Sequence, residues 1–298
     1  MPKKPKFDIS LQPSFDNIIT QYVLSTGLNP EEFASKLEAE SQKTVSPDEI
    51  LGLLSRFIES AFSKQNLFKT LNENNNVLQL LLSLFENSRF LSEILIREPN
   101  LLFWVLDKNV ISQKKSSAQF EVDIETSISI YNSVNKKIDA IKRFFRHNIL
   151  RIGVKDLFFN SDLEEITSEL SALADSIIKI ITDISIRELE SKYGKIPKTD
   201  FTIFGLGKLG GNELNYSSDI DLIMAYKEDG EFKTRDKRVV FYFDYFQELG
   251  RNIIKLLSET TQEGYLYRVD MRLRPEGSSG PLVPSYSYLL SYYESRGE

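Results

Sequence analysis

The sequence predicts an α+β protein, in which a helical N-terminal region precedes a mixed sheet flanked by helices. Of the 14 glycines only three precede Gly194, and glycine is poorly suited to helix interiors. Up to that point apolar residues recur every three or four positions, as in amphipathic helices. Beyond it they alternate with polar residues, as in strands, and a helical period returns over Phe241–Leu257. Strands separated by such a helix indicate a sheet with helical crossovers.

Several helix starts in the first part are marked by capping residues. Asn29 and Ser46 each precede a proline, which suits the first helical position, and each has a glutamate three residues on. Ser161 and Glu164 have the spacing of a capping box and predict the start of another helix. A long amphipathic helix is predicted over Ile128–Ile152. We therefore expect several short helices followed by two long ones.

A polar segment, Ile111–Phe120, separates two helical blocks. It contains two lysines and two serines in succession, a composition typical of a connection between domains. We therefore predict a helical N-terminal region over residues 1–118 and a second region, which carries the chemistry, over residues 119–298.

The composition excludes several kinds of chemistry. The chain has no cysteine and a single histidine, His147, so disulfides, iron–sulfur clusters, thiol nucleophiles and multi-histidine metal sites are ruled out. His147 lies among basic residues of a predicted helix, where a structural role is the simpler expectation. Catalysis would therefore depend on carboxylates, hydroxyls or lysine side chains.

Charge and hydropathy argue against nucleic-acid and membrane partners. The 37 Lys and Arg residues against 43 Asp and Glu residues give a net charge of −6, which disfavours general attraction to nucleic acid. The longest near-apolar stretch, Val77–Phe85, is much shorter than the ~20 residues of a membrane-spanning helix. The basic N-terminus, Met1–Lys6, is not followed by the apolar region of a signal peptide. We therefore expect a cytoplasmic protein that binds neither nucleic acid nor membranes.

A glycine-rich turn, Gly205–Gly211, follows a predicted strand and contains the G-x-G-x-x-G spacing of dinucleotide-binding folds. Such a fold needs a long helix at the glycines and an acid ~20 residues on. Residues 212–218 leave too little room for that helix. The phosphate-loop pattern also fails, because Lys208 precedes the last glycines and is not followed directly by Ser or Thr. What the turn does fit is a glycine pair followed by two closely spaced acids.

Those two acids, Asp219 and Asp221, stand two positions apart on a predicted strand, so both carboxylates point to one face. Ile220 and Leu222 take the other face, toward the core. Two hard oxygen donors beside a glycine turn favour a divalent cation such as Mg²⁺. The alternative is a solvated acidic strand, because charged residues commonly alternate on exposed sheet faces.

A further predicted strand, Arg268–Arg274, adds a third acid. Its apolar residues share one face, and Asp270 lies on the other with the arginines Arg268, Arg272 and Arg274. Three carboxylates beside arginines form the pattern expected for two-metal phosphoryl chemistry, in which Arg neutralises phosphate oxygens. We therefore predict that Arg272 and Arg274 contact phosphate.

Two segments resemble the glutamine synthetase adenylyltransferase family. Gly205–Met224 contains GLGKLGGNELNYSSDIDLI, and Tyr265–Val283 reads YLYRVDMRLRPEGSSGPLV. Weaker similarity extends upstream to Ser88–Leu102 and Ala140–Leu173. The family is built on the DNA polymerase β type nucleotidyltransferase fold, and the resemblance implies such a catalytic core, with a mixed sheet flanked by helices, for residues 119–298.

The resemblance also implies roles for individual residues. The expected ligands of Mg²⁺, or alternatively of Mn²⁺, are Asp219, Asp221 and Asp270. The residues expected to line the nucleotide phosphate are Gly210, Gly211 and Ser218. Lys208 is a further phosphate-binding candidate on its residue type alone, although a lysine at a turn tip is more often merely solvated.

Proteins of this family carry two related halves, of which the N-terminal one removes AMP from glutamine synthetase by phosphorolysis and the C-terminal one adds it. SSDIDLI and RVDMRLRP with a following GPLV segment resemble the first half, whereas the second tends to GSDLDLV and GLLV. Ser217 and Pro281 therefore favour adenylyl removal. The implied reaction consumes inorganic phosphate and the adenylyl-tyrosine of glutamine synthetase, releases ADP, and contributes to the regulation of nitrogen assimilation.

Two alternatives stay open. One is ATP-dependent adenylylation of glutamine synthetase, and the other is a catalytically silent module that binds glutamine synthetase or the signalling protein PII. Retention of all three acids disfavours the silent module. The family continues beyond Glu298 into a helical bundle and a second catalytic half, so we expect this chain to be a fragment without them. PII is accordingly an expected partner of the full-length family member.

Overall fold

The computed structural model describes residues 23–159, 161–196 and 200–296. The predicted α+β class is confirmed, because many helices accompany a small mixed sheet. The basic N-terminus used to predict localisation lies outside the described residues. Internal contacts divide the chain into two units, one of residues 1–113 and 147–161 and another of residues 114–146 and 162–298. The domain boundary at 118/119 stays a prediction.

The first unit is helical where it is described. Its helices are α1 (Pro30–Ser41), α2 (Pro47–Ser60), α3 (Lys64–Glu73), α4 (Asn75–Asn87), α5 (Arg89–Arg97), α6 (Leu101–Val105), α7 (Lys108–Ile111) and the part of α9 (Val134–Phe158) that begins at residue 147. Edge-to-face aromatic pairs lie in its core, with 5.3 Å between the ring centroids of Phe33 and Phe68 and 6.0 Å for Phe57 and Phe85. His147, for which a structural role is the expectation, has its Nε2 2.8 Å from Glu98 Oε2.

Two of the predicted helix starts are confirmed. The Asn29 side chain accepts a hydrogen bond from the Glu31 backbone N–H at the start of α1, and Pro30 is its first residue. Helix α2 begins at Pro47 as predicted, although the Ser46 side chain accepts no capping hydrogen bond there.

The capping box predicted at Ser161 is wrong. The helix begins at Leu163, directly after Asp162. Aspartate is as favourable as serine before a helix, and the acids of the first turn suit the helix dipole without a side-chain hydrogen bond. A capping box does join Ser116 and Gln119, at the start of the helix Ser117–Ile128. The predicted polar connection therefore ends at Ser116 rather than at Phe120.

The helix predicted over Ile128–Ile152 is shifted along the chain. One helix ends at Ile128 and the next begins at Val134. The intervening residues include Ser129, Asn132 and Ser133, which favour turns because their side chains hydrogen-bond to nearby backbone.

The second unit combines long helices with the sheet. Its described elements are α8 (Ser117–Ile128), α9 as far as residue 146, α10 (Leu163–Tyr193), β1 (Phe201–Leu206), α11 (Gly207–Gly210), β2 (Ile220–Tyr226), β3 (Glu231–Lys233), β4 (Val239–Phe241), α12 (Tyr242–Ser258), β5 (Val269–Asp270), a short 3₁₀ turn (Gly277–Ser279) and α13 (Tyr286–Arg296). Strands β1, β2 and β5 form one sheet in that order, and β3 and β4 form a separate antiparallel pair. β2 is antiparallel to β1 and parallel to β5.

The two faces of β2 carry different side chains, although most residues on both are buried. Ile220, Leu222 and Met224 are fully buried on one face. On the same side the ring of Phe246 from α12 stacks on Tyr226, with 4.6 Å between centroids. Asp221 and the residues two and four positions after it take the opposite face. The alternation therefore sets Asp221 on the face opposite Ile220, Leu222 and Met224, and the next two residues of its own face, Ile223 and Ala225, are buried as well.

The strand predicted over Arg268–Arg274 is correct only for Val269 and Asp270, because β5 begins at Val269 and ends at Asp270. The Asp270 carboxylate accepts a hydrogen bond of 2.8 Å from the Arg272 backbone N–H. Such a side-chain contact replaces the sheet ladder with a turn, and Pro275 has no N–H to donate further along. Arg272 and Arg274 consequently do not share a strand face with Asp270.

The turn before β5 is anchored by cations of α9. The ammonium of Lys142, which is fully buried, donates to the Glu259 carbonyl at 2.7 Å. Arg143 and Arg146 both pair with the Glu263 carboxylate, at 3.0 and 2.7 Å. These contacts hold the chain that leads into β5, and so they help to position Asp270.

Among the described helices, none combines the length with the hydropathy of a membrane-spanning segment.

Candidate active site

Two of the three predicted acids lie side by side across the sheet. Asp221 is the second residue of β2, Asp270 is the last residue of β5, and the two are register partners in the parallel pair. Neighbouring strands are about 4.8 Å apart, so paired residues present their side chains on the same face and close together. Both residues are half-buried. The sheet therefore offers two carboxylates at one position of its open face.

A glycine turn closes over this position. β1 ends at Leu206, which pairs with Asp221, and Gly207 follows with φ of +55°. A Cβ atom added at Gly207 would lie 2.5 Å from Asp221 Oδ2, so any larger residue would displace the carboxylate. Glycine is therefore favoured here both by the left-handed backbone and by the approach of the carboxylate.

Gly210 and Gly211 keep this turn compact. A Cβ atom at Gly210 would lie 2.5 Å from the Gly205 carbonyl oxygen. The Gly211 N–H donates to the Gly207 carbonyl at 2.9 Å. The helix that begins at the glycines has only four residues, as expected when the dinucleotide-binding interpretation was rejected. Lys208 is exposed on this short helix.

The loop between the glycine turn and β2 is held at two points. Leu214 is buried, and its N–H donates to the Ser171 hydroxyl of α10 at 3.1 Å. Further on, the Ser217 carbonyl accepts a hydrogen bond of 3.1 Å from Arg268 Nη2. Ser218, half-buried, follows directly and leads to Asp219, which immediately precedes β2.

Asp219 and Asp270 each form an ion pair with an arginine. The Arg268 guanidinium donates through Nε to Asp219 Oδ1. Arg272 donates through Nε and Nη2 to Asp270 Oδ2, at 2.8 and 2.5 Å. The Arg272 guanidinium and backbone N–H lower the pKa of Asp270, because both interactions stabilise its ionised form. The Asp219 carboxylate raises the pKa of Arg268 for the same reason.

Arg274 lies apart from this arrangement. Its Nη1 donates to the Met271 carbonyl at 2.7 Å, so the guanidinium is turned toward backbone. Its Nε is buried and has no hydrogen-bond partner among the described residues. The predicted phosphate-binding roles of Arg272 and Arg274 stay predictions.

The donor set suits a hard divalent cation, but the acids are not gathered into a metal-binding cluster. Within the described ranges, no group of three or more His, Cys, Asp or Glu side chains is arranged to hold a metal ion. Asp221 and Asp270 supply adjacent oxygen donors of the kind Mg²⁺ and Mn²⁺ prefer. Asp219 is paired with Arg268, and both oxygens of Asp270 accept hydrogen bonds from Arg272. The residues therefore fit such an ion in the chemistry of their donors, and both ion pairs would have to open for all three acids to bind it.

Two residues of this region were not among the predicted site residues. The role of Gly207 depends on the register between β1 and β2, which places it against Asp221, whereas the sequence drew attention to the later glycine pair. Arg268 was predicted only to share a face with Asp270, and the structure pairs it with Asp219. The signal that could have found it is its position one residue before the strand that pairs with β2.

Similarity to known proteins extends over most of the chain. Residues 78–298 match the glutamate–ammonia ligase adenylyltransferase family. The similar proteins include a bifunctional glutamine synthetase adenylyltransferase/adenylyl-removing enzyme of Psychromonas ingrahamii, 36% identical over 70% of this chain and 23% of that protein. The enzyme of the same description from Nitrosococcus oceani is 33% identical over 82% of this chain and 25% of its own length.

The family match covers most of the chain, and the similar proteins share about a third of the residues in the aligned region. The chain belongs to the glutamate–ammonia ligase adenylyltransferase family. It spans about a quarter of the length of the curated relatives it matches.

Proposed function

We propose that this chain carries a nucleotidyl-transfer site that removes AMP from the adenylyl-tyrosine of glutamine synthetase by phosphorolysis and releases ADP. The observation that carries the proposal is the pairing of Asp221 with Asp270 on the open sheet face, directly beneath the Gly207 turn. The names of the similar proteins support the substrate, since each is described as acting on glutamine synthetase.

The proposed reaction is the transfer of an adenylyl group between two oxygens. An oxygen of inorganic phosphate forms a bond to the phosphorus of the adenylyl group, and the bond from that phosphorus to the tyrosine oxygen breaks. The tyrosine oxygen leaves with the electron pair and takes up the proton that the attacking phosphate gives up. The products are ADP and an unmodified tyrosine.

The residues of the site have distinct tasks in this proposal. Asp219, Asp221 and Asp270 would hold Mg²⁺ or Mn²⁺, which when bound polarises phosphate oxygens and orients the attacking oxygen. Arg268 and Arg272 stand beside the carboxylates, and each offers a guanidinium to the oxygens of an entering phosphate.

Further residues would bind the phosphates. The Gly207–Gly211 turn brings its backbone close to the site, where Gly210, Gly211 and Ser218 would line the nucleotide phosphate. Lys208, exposed on the same turn, is a further candidate.

The direction of the proposed reaction rests on sequence alone. Ser217 and Pro281 stand where the adenylyl-removing half of the family has serine and proline. PII is proposed as a partner of the longer family member, and a cytoplasmic location is proposed with it.

The proposal is tested by incubating the chain with adenylylated glutamine synthetase, inorganic phosphate and Mg²⁺, and measuring ADP. ADP should form only when phosphate is present. Asp221→Asn should lower the rate about a hundredfold to ten-thousandfold, which corresponds to several kcal/mol at ~1.4 kcal/mol per factor of ten, with unchanged circular dichroism.

Other results would favour the alternatives. Incorporation of AMP from ATP into unmodified glutamine synthetase, without ADP release from the adenylylated form, would favour the adenylylating direction. Tight binding of glutamine synthetase with neither reaction would favour a silent binding module. The observation behind this alternative is that two of the three carboxylates, Asp219 and Asp270, are paired with arginines.

A further inference from the structure

A cavity of about 540 Å³ lies on the open face of the sheet, between the strands and α13. Its floor includes Phe204 of β1 together with Ile223 and Ala225 of β2, and its wall includes Leu290 and Tyr293 of α13. Most of the side chains that line it are apolar or aromatic. A volume of this size lies within the range of sites for small organic ligands, about 300–1,000 Å³.

The cavity adjoins the candidate active site along β1 and β2. Asp221 and Ile223 are two positions apart on β2, so their side chains share the open face of the sheet. On β1, Leu206 pairs with Asp221 and Phe204 pairs with Ile223, and both β1 residues line the cavity. One end of the cavity, at Leu206, therefore lies next to Asp221, although neither carboxylate lines the cavity itself.

The separation of the two regions matches the build of a nucleoside monophosphate. Two residues along a strand cover about 7 Å, at ~3.3 Å per residue. A phosphate held beside Asp221 would place the attached sugar over the intervening backbone and the base over Phe204 and Ile223. The base would thus enter the apolar part of the cavity while the charged phosphate stays with the arginines.

The walls of the cavity suit a planar ring. Phe204 and Tyr293 are each 50% exposed and Leu290 is 45% exposed, so large apolar surfaces face the cavity without being covered. Any of the nucleobases can stack on such side chains, because every base has a π-face. The sheet floor and the helix wall therefore both offer apolar or aromatic surface to a ring placed between them.

We propose that this cavity binds the purine base of the nucleotide whose phosphate lies at Asp221 and Asp270. The inference rests on the proposed function, because that function supplies the phosphate end of the ligand. It adds the position of the base and the residues that recognise it, Phe204, Ile223 and Tyr293.

The test compares three ligands by calorimetry on the whole chain in the presence of Mg²⁺. AMP carries phosphate, sugar and base, ribose 5-phosphate lacks the base, and O-phosphotyrosine carries a different ring. AMP should bind roughly tenfold or more tightly than ribose 5-phosphate, the range that stacking on an aromatic side chain gives. Phe204→Ala should remove most of this preference and leave the affinity for ribose 5-phosphate unchanged.

The matched control is Phe241→Ala. Phe241 is also a half-exposed phenylalanine on a strand, 56% exposed, but it does not line the cavity. AMP binding should be unaffected by its removal. Equal loss in the two variants would overturn the proposal, because the effect would then be a general one on the fold.

The remaining outcomes also decide the matter. Equal binding of AMP and ribose 5-phosphate, or binding of neither, would overturn the base site. A Phe204-dependent preference for O-phosphotyrosine over AMP would also overturn it, by assigning the cavity to the tyrosyl side of the substrate. A Phe204-dependent AMP preference without ADP release from adenylylated glutamine synthetase would uphold the base site and contradict the proposed function alone.

Discussion

Asp221 of β2 and Asp270 of β5 are direct partners in a parallel strand pair, although 48 residues separate them in the sequence. Parallel strands require a crossover connection, and here the crossover contains α12, whose Phe246 stacks on the buried face of the sheet. The helix thus packs on one side of the sheet while the strands present both carboxylates on the other. This arrangement makes a two-carboxylate site a consequence of the fold itself.

Gly207 is expected to be essential to the geometry of the site. Gly207→Ala introduces a Cβ atom 2.5 Å from Asp221 Oδ2 and a non-glycine residue at φ of +55°. We expect displacement of the carboxylate and a rate loss of about a hundredfold in the ADP-release assay, the order that a 1 Å misplacement produces.

The control for this substitution is Gly27→Ala. Gly27 has φ of +77°, but a Cβ atom there meets nothing within 4 Å. Both variants should lower the free energy of unfolding by about 1–2 kcal/mol through backbone strain. Only the Gly207 variant should lose activity, and similar activity of the two variants would contradict the contact with Asp221.

Asp270 and Arg272 should differ in the kind of loss they cause. Asp270→Asn removes an oxygen donor and its charge, so a higher Mg²⁺ concentration should be needed for half-maximal rate. Arg272→Ala removes a guanidinium that is 86% exposed and available to an anion, so the phosphate concentration needed should rise instead. The measurement is the rate as a function of each concentration in turn.

One result for Asp270→Asn and Arg272→Ala would contradict distinct roles for the two residues. If both variants respond to Mg²⁺ and phosphate in the same way, Asp270 and Arg272 act only as a structural ion pair. Thermal unfolding of both variants is the accompanying control, since an exposed pair of this kind contributes at most about 1 kcal/mol.

Tyr245 is expected to make the protein sensitive to alkaline pH. Its hydroxyl is buried without a hydrogen-bond partner among the described residues, and burial raises the pKa of Tyr245 to about 12. In the unfolded chain a tyrosine hydroxyl ionises near pH 10. The stability that Tyr245 contributes is therefore complete below pH 10 and falls as the pH rises toward 12. Tyr245→Phe should therefore reduce the loss of stability between pH 10 and 12.

The measurement is the free energy of unfolding as a function of pH, with Tyr265→Phe as control. Tyr265 is 45% exposed, so its removal should leave the pH dependence unchanged. Burial also raises the pKa values of Tyr226 and Tyr267, which both variants retain. A difference between Tyr245→Phe and Tyr265→Phe is therefore due to Tyr245 and not to a general alkaline transition. Identical curves for wild type and Tyr245→Phe would contradict the account.

The periodicity of the sequence predicted the α+β class and the strand that carries Asp221, because burial on one face dictates alternation. It could not predict the end of β5 at Asp270, since the hydrogen bond from the Arg272 N–H to the Asp270 side chain leaves no periodic signal. Nor could it choose Asp162 over Ser161 before α10, because the two residue types favour that position equally.

The candidate site was predicted in composition more than in geometry. The three acids and the glycine turn are visible in the sequence, and pairing across strands brings two of the acids together. Gly207 and Arg268 were harder to predict, because their contacts with Asp221 and Asp219 depend on strand register and on side-chain rotamers. Neither is determined by spacing along the chain.

The central claim, that Asp221 and Asp270 are ligands of one divalent cation, is tested most directly by titrating the chain with Mn²⁺ and measuring free Mn²⁺ by electron paramagnetic resonance. We expect wild type to bind Mn²⁺, and Asp221→Asn and Asp270→Asn each to weaken binding at least tenfold, about 1.4 kcal/mol. Glu228→Gln, which neutralises an exposed acid just beyond β2, should bind as wild type does. Equal Mn²⁺ binding by all four proteins, or none by wild type, would contradict the claim.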